Sequence, residues 1–436
     1  MKTLIKILLL LQIPVFGITQ TFTLENALNE GLKNRIEIKN QKLLSEIAKR
    51  QNAKIAAQWL PQISGSVDKR WNTQLQTTIL PFDITGQNPD GSSKVKFGVP
   101  FNNLVGLQAD QKIFDANKKI DIAINENTIT QREIDLEKQT VAIKQAVSEA
   151  YYAVILQQEQ RKLNQEAYDR TIKAKENART KYQMGTLLEN DYNRFILDEN
   201  NAKISIEKSN LEVELALSTL KYQMGLPETA KIEVQEDLNT ILAKTSKSYD
   251  LQYENRPEIK AEETALKLNA LNVNKQMAKN KATISAYGNY SLLQLNTKFN
   301  PFSANTWFPY NYVGIKLNLP IFNGKQSSLN ATDFKIQQEI NQNNLQKLRA
   351  DFEQETITST KQMVQAKLDL EQTQKNIQLA QSIYGIDKFR FESGVLVLSD
   401  LKNSEYSLKQ AESNYLNAIY SFLLAELKYK KATGNL

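Results

Sequence analysis

The side chains that this sequence offers for chemistry are carboxylates, amines, amides and hydroxyls, because the chain contains no Cys and no His. Thiol nucleophiles, thiolate and imidazole metal ligands and the commonest general base are therefore missing. A pair of carboxylates would still permit acid–base chemistry, but no close Asp/Glu pair lies in a Gly-rich or loop context that would single it out. The sequence therefore predicts a protein that is not an enzyme and that has no cofactor and no metal site.

The charge pattern argues against a nucleic-acid partner. The formal net charge is +7 over 436 residues, and it is spread along segments in which acidic and basic residues alternate. Such mixed-sign segments are usually solvated helix faces, whereas nucleic-acid binding proteins concentrate basic residues in a stripe.

Short stretches of the chain occur twice, which indicates an internal duplication. "KNRIEI" at residues 33–38 matches "ENRPEI" at 254–259. "KYQMGTLLEND" around Gly185 likewise matches "RFESGVLVLSD" around Gly394, and the two stretches end in Asp191 and Asp400. The duplication divides the chain into a first repeat at 21–225, a linker at 226–256 and a second repeat at 257–436.

Glycine and proline are missing from four long segments, which predicts very long helices. There is neither residue between Gly106 and Gly185, nor in 186–224, 325–384 and 395–433. Apolar residues recur in these segments at helical spacing, and a helix over residues 117–184 would be about 100 Å long. Because Gly185 and Gly394 interrupt the helical pattern, each repeat is predicted to contain a helical hairpin with its tip at that glycine.

Two Gly- and Pro-rich windows show a period of two, which is typical of strands. In "VGLQADQKIF" the residues Val105 and Leu107 alternate with polar or small ones, and in "YVGIKLNLPIF" Val313 and Ile315 do the same. Each window is predicted to be a strand pair around a polar loop, at about 62–114 and about 283–322. The apolar sides are short, and aromatic residues border them: Trp71, Trp307, Phe308, Tyr310 and Tyr312.

These four strands favour a membrane barrel over a small soluble sheet, since aromatic-bordered apolar faces are typical of membrane barrels. A bilayer does not tolerate open sheet edges, so several chains would have to close the barrel together. Two chains would give eight strands and a lumen filled by side chains, whereas three would give twelve and an open pore. A conduit therefore favours a homotrimer.

The first 20 residues, "MKTLIKILLLLQIPVFGITQ", are predicted to be a secretory signal peptide. Lys2 and Lys6 precede an apolar run, and Pro14 and Gly17 follow it. No later apolar run has the roughly 20 residues that a membrane-spanning helix needs. Without a Cys, the mature chain is also not expected to be lipidated at an N-terminal Cys.

From "TFTLENALNEGLKN" through "ENRPEI" to "AELKYKKATG", the order and repetition of these motifs resemble outer-membrane efflux channels of the TolC family. The resemblance implies a mainly α fold with membrane β: a trimeric α-helical barrel that extends into the periplasm and continues into a twelve-stranded transmembrane β-barrel, with four strands per chain. It implies a passive conduit from the periplasm to the exterior, with outer-membrane lipid around it. A periplasmic adaptor protein and an inner-membrane efflux pump or ABC exporter would be its partners.

The resemblance also implies roles for the hairpin tips and for the linker. The adaptor would contact Gly185, Thr186, Gly394 and Val395. The periplasmic gate would comprise Asp191, Asp400, Leu187 and Leu396; Leu396 stands where some members have an Arg that locks the gate, so apolar closure would replace that lock. The linker would resemble the belt around the middle of the helical barrel.

Two other functions are compatible with parts of this pattern. A channel for type I protein secretion would share the whole architecture. A secreted coiled-coil scaffold would explain the long helices, but it would not need the alternating strands.

Overall fold

The computed structural model describes residues 20–82, 91–245, 253–300 and 302–436. The predicted signal peptide, apart from Gln20, lies outside the described residues, as do residues 83–90 of the predicted first loop and 246–252 of the predicted linker. The helices are α1 (Leu24–Asn34), α2 (Ile36–Ala57), α3 (Lys118–Gln183), α4 (Glu189–Met224), α5 (Leu238–Lys244), α6 (Pro257–Ala278), α7 (Gln326–Glu392) and α8 (Leu398–Ala432). The strands are β1 (Gln20–Phe22), β2 (Gln62–Trp71), β3 (Thr77–Leu80), β4 (Ser93–Lys96), β5 (Phe101–Asp115), β6 (Ile232–Val234), β7 (Thr283–Asn296) and β8 (Trp307–Asn318).

The described chain is mainly helical, and its longest helices are α3, with 66 residues, and α7, with 67. Both occupy segments in which the sequence has almost no helix-breaking residue, as predicted. Each is followed by a short turn and then by α4 or α8, so the order strand pair, long helix, turn, shorter helix occurs once in each half of the chain.

The chain forms two compact units. The first contains the described residues up to Leu44, together with Arg132–Glu263 and Asn343–Leu436. Its main core is formed by buried residues of α3, α4 and α8, among them Tyr151, Leu220 and Ile419. Phe22 of β1 and Ile232 of β6 also belong to this core, and the two strands pair in parallel. The Tyr151 hydroxyl lies 2.9 Å from Glu236 Oε2 and 3.1 Å from the Phe22 carbonyl oxygen, so it fastens β1 to the segment after β6.

The second unit contains Ser45–Gln131 and Thr264–Gln342 and includes a four-stranded antiparallel sheet in the order β2-β5-β7-β8. Strands β2 and β8 form the two edges of this sheet. Polar contacts join the helices α2, α3 and α6 within this unit. The Asn125 side chain donates to Asn52 Oδ1 at 2.8 Å, and Lys275 pairs with Asp121 at 2.8 Å.

The two faces of the four-stranded sheet differ in chemistry, because successive side chains of a strand point to opposite faces. One face, called here the apolar face, carries Ile63, Val67, Val105, Leu107, Leu292, Val313 and Ile315. The other, called the polar face, carries Ser64, Ser66, Asp68, Arg70, Gln108, Asp110, Asn289, Ser291, Tyr310 and Tyr312. The apolar face is exposed in the single chain: 73% of Ile63 and 91% of Val313 are accessible.

Four features differ from the sequence interpretation. Phe308, Tyr310 and Tyr312, which were expected to border the apolar sides of the strands, lie on the polar face, because their register pairs them with Leu293, Ser291 and Asn289; Trp71 and Trp307 do lie on the apolar face. The segment expected to be a loop between β2 and β5 contains its own hairpin, in which β3 pairs with β4. The linker contains β6 and α5, which the sequence did not predict because both elements are short and of mixed polarity. Strand β8 ends at Asn318, four residues before the predicted limit, because Pro320 has no N–H to donate to the sheet.

Among the described residues, no helix combines the length and the apolar composition required to cross a membrane.

Candidate functional site at the hairpin tips

The two predicted hairpin tips have the same backbone geometry. Gly185 and Gly394 both have φ of +74°, a left-handed conformation that glycine adopts without steric cost. The N–H of Thr186 donates to the Lys181 carbonyl at 2.9 Å, and the N–H of Val395 donates to the Arg390 carbonyl at 2.9 Å. With the glycine N–H groups bonded to the residues three before them, each tip is a Schellman turn. The sequence match around the two glycines therefore reflects one turn used twice.

A small apolar cluster joins the two hairpins within the first unit. Its buried members are Ala178 of α3, Phe195 of α4 and Leu398 of α8, and Leu187, Tyr192 and Phe391 pack against it. The Tyr182 and Tyr192 rings stack at 5.3 Å between centroids. Because this cluster draws on both hairpins, the two tips are held side by side in one chain.

An ionic contact lies beside this cluster. Lys402 Nζ of α8 lies 2.8 Å from Asp198 Oδ2 of α4 and 2.8 Å from Glu405 Oε2. It also lies 5.0 Å from the centroid of the Phe195 ring. Burial by itself would lower the pKa of Lys402, but the carboxylates of Glu405 and Asp198 outweigh it, so the pKa is raised and the ammonium stays charged. Sequence reasoning missed this contact, since Asp198 and Lys402 are far apart in the chain and neither belongs to a motif.

The two predicted gate aspartates lie in the first turns of α4 and α8 but in different surroundings. Asp191 is half-buried, and its Oδ1 lies 3.6 Å from Arg194 Nη1. Asp400 is exposed, and its Oδ1 lies 3.4 Å from the Ser399 hydroxyl. Both carboxylates are stabilised by the positive end of the helix dipole. Asp400 is thus the more accessible of the two to a solute or a cation.

The predicted apolar gate residues are less exposed than their neighbours. Leu187 packs against the cluster, and Leu396 is half-buried. The predicted contact residues Gly185, Thr186, Gly394 and Val395 are exposed. The most accessible large apolar side chains of the tips are Met184 (64% exposed), Leu188 (73%), Val395 (70%) and Val397 (62%). Met184, Leu188 and Val397 were not predicted from the sequence, although "MGTLL" and "GVLVL" place apolar residues at turns, where few neighbours can cover them.

A second cross-hairpin contact lies farther from the tips. Arg170 Nη2 of α3 is 3.8 Å from Glu412 Oε2 of α8, and Glu412 is buried. Burial raises the pKa of the Glu412 carboxyl, while Arg170 acts in the opposite direction. Within the described ranges, no group of three or more Asp or Glu side chains is placed to hold a metal ion.

Comparison with known proteins gives a family-model match over part of the chain and a fold over most of it. The family model for outer membrane efflux protein matches residues 249–435. No protein with a curated description matches the chain. Among solved structures, CusC superimposes with a TM-score of 0.73 at 16% identity, over 94% of this chain and 91% of that one. CusC is described as a protein whose conformational changes accompany folding and transmembrane channel formation.

Two further structures are similar over the same share of the chain. The CmeC outer membrane channel of Campylobacter jejuni has a TM-score of 0.69 at 18% identity and covers 94% of this chain and 85% of that one. The outer membrane protein VceC of Vibrio cholerae has a TM-score of 0.68 at 13% identity and covers 94% and 96%. At these identities the likeness establishes the fold. The predicted resemblance to TolC-type outer-membrane efflux channels is therefore confirmed, by the family model over residues 249–435 and by the fold over most of the chain.

Proposed function

We propose that this protein is the outer-membrane channel of a tripartite efflux system. Three copies form a twelve-stranded barrel in the outer membrane, and their long helices form a helical barrel that extends into the periplasm. The channel is passive, and an inner-membrane pump supplies the energy through a periplasmic adaptor. The family match and the shared fold support this proposal.

The observation that carries the proposal is the four-stranded sheet with an exposed apolar face. Strands β2 and β8 are its edges, and open edges are not tolerated in a bilayer. Side chains such as Ile63, Val313 and Ile315 would be unfavourable in water but match lipid. Pairing β8 of one copy with β2 of the next removes both edges. The antiparallel order continues from copy to copy because each copy contributes four strands, an even number.

The number of copies follows from what the lumen must do. Two copies would give eight strands, whose side chains fill the interior, whereas three give twelve strands and an open passage. The polar face of the sheet then lines the passage, and the apolar face contacts lipid.

In this assembly the hairpin tips carry the gate and the adaptor contact. Gly185, Thr186, Gly394 and Val395 are the predicted adaptor contacts, and the exposed Met184, Leu188 and Val397 extend that surface. Asp400 and Asp191 face the narrow opening, and Leu187 and Leu396 line it.

Membrane fractionation with chemical crosslinking tests the proposal. The expected result is an outer-membrane protein that crosslinks to a trimer. A soluble monomer after export would refute the channel and would support the secreted coiled-coil scaffold instead.

Surface labelling tests the orientation. The chain has no native Cys, so Asn305→Cys introduces a single reactive thiol between β7 and β8. We expect a membrane-impermeant thiol reagent to label this variant in intact cells, because the opposite strand ends continue into helices assigned to the periplasm. Labelling that requires permeabilised cells would reverse the assigned topology.

A channel for type I protein secretion is the second candidate, because it would share this architecture. Deleting the gene distinguishes the two functions. Loss of tolerance to small toxic compounds supports efflux, whereas loss of one secreted protein with unchanged tolerance supports secretion.

A further inference from the structure

Four aromatic side chains follow one another along the polar face of the sheet and are called here the aromatic stripe. Phe308, Tyr310 and Tyr312 are alternate residues of β8, and Tyr287 of β7 extends the row. The Tyr310 and Tyr312 ring centroids lie 6.3 Å apart, and those of Tyr312 and Tyr287 lie 5.9 Å apart. All four side chains are at least partly exposed, with Phe308 the most accessible at 53%.

The stripe continues past Tyr312 because β8 has a glycine at the next position on this face. Gly314 is paired with Tyr287, and a Cβ on Gly314 would lie 2.7 Å from Cζ and from the hydroxyl oxygen of Tyr287. Any larger residue would displace that ring. The glycine therefore lets Tyr287 lie across β8, in line with Tyr312, so the fourth ring comes from the neighbouring strand.

Polar groups lie next to the rings. Tyr310 is paired with Ser291, and Tyr312 with Asn289. Near the Phe308 end, a cavity of about 410 Å³ is bordered by Phe308, Tyr310, Asp68 and Arg70, together with Asn102, Leu104 and Leu293. Asp68 and Arg70 form an ion pair of 3.0 Å in its wall. Apolar surface with a few polar groups in a space of this volume is typical of sites for small organic molecules.

We infer that the aromatic stripe is a binding path for organic solutes that have a flat aromatic core. This inference rests on the proposed function, which places the polar face in the passage. Rings spaced about 6 Å apart allow a planar solute to contact the next ring before it leaves the last. Ring faces attract aromatic solutes by stacking and cationic ones by cation–π attraction.

The same chemistry discriminates against other cargo. A hydrated metal ion has no flat apolar face, and it would find the Asp68 carboxylate already paired with Arg70. The stripe therefore assigns the substrate class as flat aromatic compounds with polar substituents.

The test uses purified wild-type trimers in planar bilayers, with ethidium as a planar aromatic cation and tetraethylammonium as a cation without a flat face. Tyr310→Leu and Tyr312→Leu remove rings from the stripe. Tyr290→Leu is the matched control, because Tyr290 is an exposed tyrosine of β7 on the apolar face. In each stripe variant the mean duration of an ethidium block should be about tenfold shorter, as expected for the loss of one stacking contact. Tetraethylammonium block and the ion current should change little.

The outcomes separate the inference from the function on which it rests. Trimers that carry no ion current either as wild type or as Lys402→Met, which removes an ion pair between the hairpins, would refute the channel and the path together. Normal current with equal ethidium block in wild type and both stripe variants would refute the path alone. Equal shortening by Tyr290→Leu would also refute it, because the effect would then not depend on the polar face.

Discussion

Lys402 and Asp198 form an ion pair of 2.8 Å between α8 and α4 that joins the second hairpin to the first. It lies beside the apolar cluster, with the Lys402 ammonium over the Phe195 ring. The partly exposed pair is expected to contribute about 1 kcal/mol, between the values for surface and buried pairs. If opening of the periplasmic end separates the hairpins, this contact opposes it.

We predict that Lys402→Met raises the open probability of the channel in planar bilayers by at least about fivefold, because about 1 kcal/mol lost in one of the three copies already corresponds to that ratio. Asp198→Asn should have a similar effect, and the double variant should show less than the sum of both free-energy changes. Lys409→Met on the same helix is the control, since Lys409 is exposed. Additive effects of the two single changes would show that the pair does not couple the hairpins.

Gly394→Trp is expected to abolish efflux while trimers remain in the membrane. A side chain at Gly394 strains a backbone at φ of +74° and adds bulk to a surface assigned to the adaptor. Gly385→Trp is the matched control, because Gly385 is exposed within α7. Minimum inhibitory concentrations of exported compounds and a crosslinked trimer band provide the two measurements. Normal efflux by the Gly394 variant would remove this tip from the docking surface.

Asp400→Asn is expected to weaken both cation selectivity and block by a trivalent cation. Threefold symmetry would repeat this exposed carboxylate around the pore axis, and rings of carboxylates favour cations. Asp191→Asn should have the smaller effect, because Asp191 is half-buried and paired with Arg194. Reversal potentials under a salt gradient measure the selectivity. Unchanged selectivity and block in the Asp400 variant would place that side chain outside the pore.

Glu258→Gln is expected to destabilise the protein at neutral pH and not in acid. Burial would raise the pKa of Glu258, but hydrogen bonds from Arg256 outweigh it, so the pKa is lowered in the folded chain. A carboxyl whose pKa is lower in the folded chain than in the unfolded chain contributes stability at pH values above its unfolded pKa. This contribution is lost as the pH falls through the folded pKa. The cost at pH 7 should be at most about 1 kcal/mol. Thermal unfolding of wild type and variant at pH 7 and pH 3 measures this cost. An equal loss of stability at both pH values would contradict the lowered pKa of Glu258.

The repeated motif illustrates how far the sequence predicts the fold. "KNRIEI" and "ENRPEI" indicated a duplication, and both arginines pair with the glutamate two residues later: Arg35 with Glu37 at 2.7 Å, and Arg256 with Glu258 at 3.2 Å. Their long-range partners could not be predicted. The Arg256 guanidinium lies over Phe352, and that of Arg35 lies over Tyr222, because partner choice depends on tertiary packing.

The candidate site was predictable at its turns and not at its contacts. The left-handed backbone at Gly185 and Gly394 requires glycine locally, so the sequence locates both tips. The Lys402–Asp198 pair depends on how two hairpins pack, and no local pattern encodes it. The hairpin of β3 and β4 was missed for a related reason: four-residue strands in a polar segment give too little alternation to separate them from a loop.

The Schellman turns at the tips have a consequence for how these channels diversify. Both bonds of each Schellman turn join backbone groups, and its geometry restricts the residue type at the glycine; at the first tip the Thr186 hydroxyl also donates to the Lys181 carbonyl at 3.0 Å. Val395 can therefore be exchanged without refolding the hairpin, and exchange of Thr186 costs one exposed hydrogen bond. Under the proposed function, a change of tip residues alone would then alter which adaptor binds, while the long helices stay as they are.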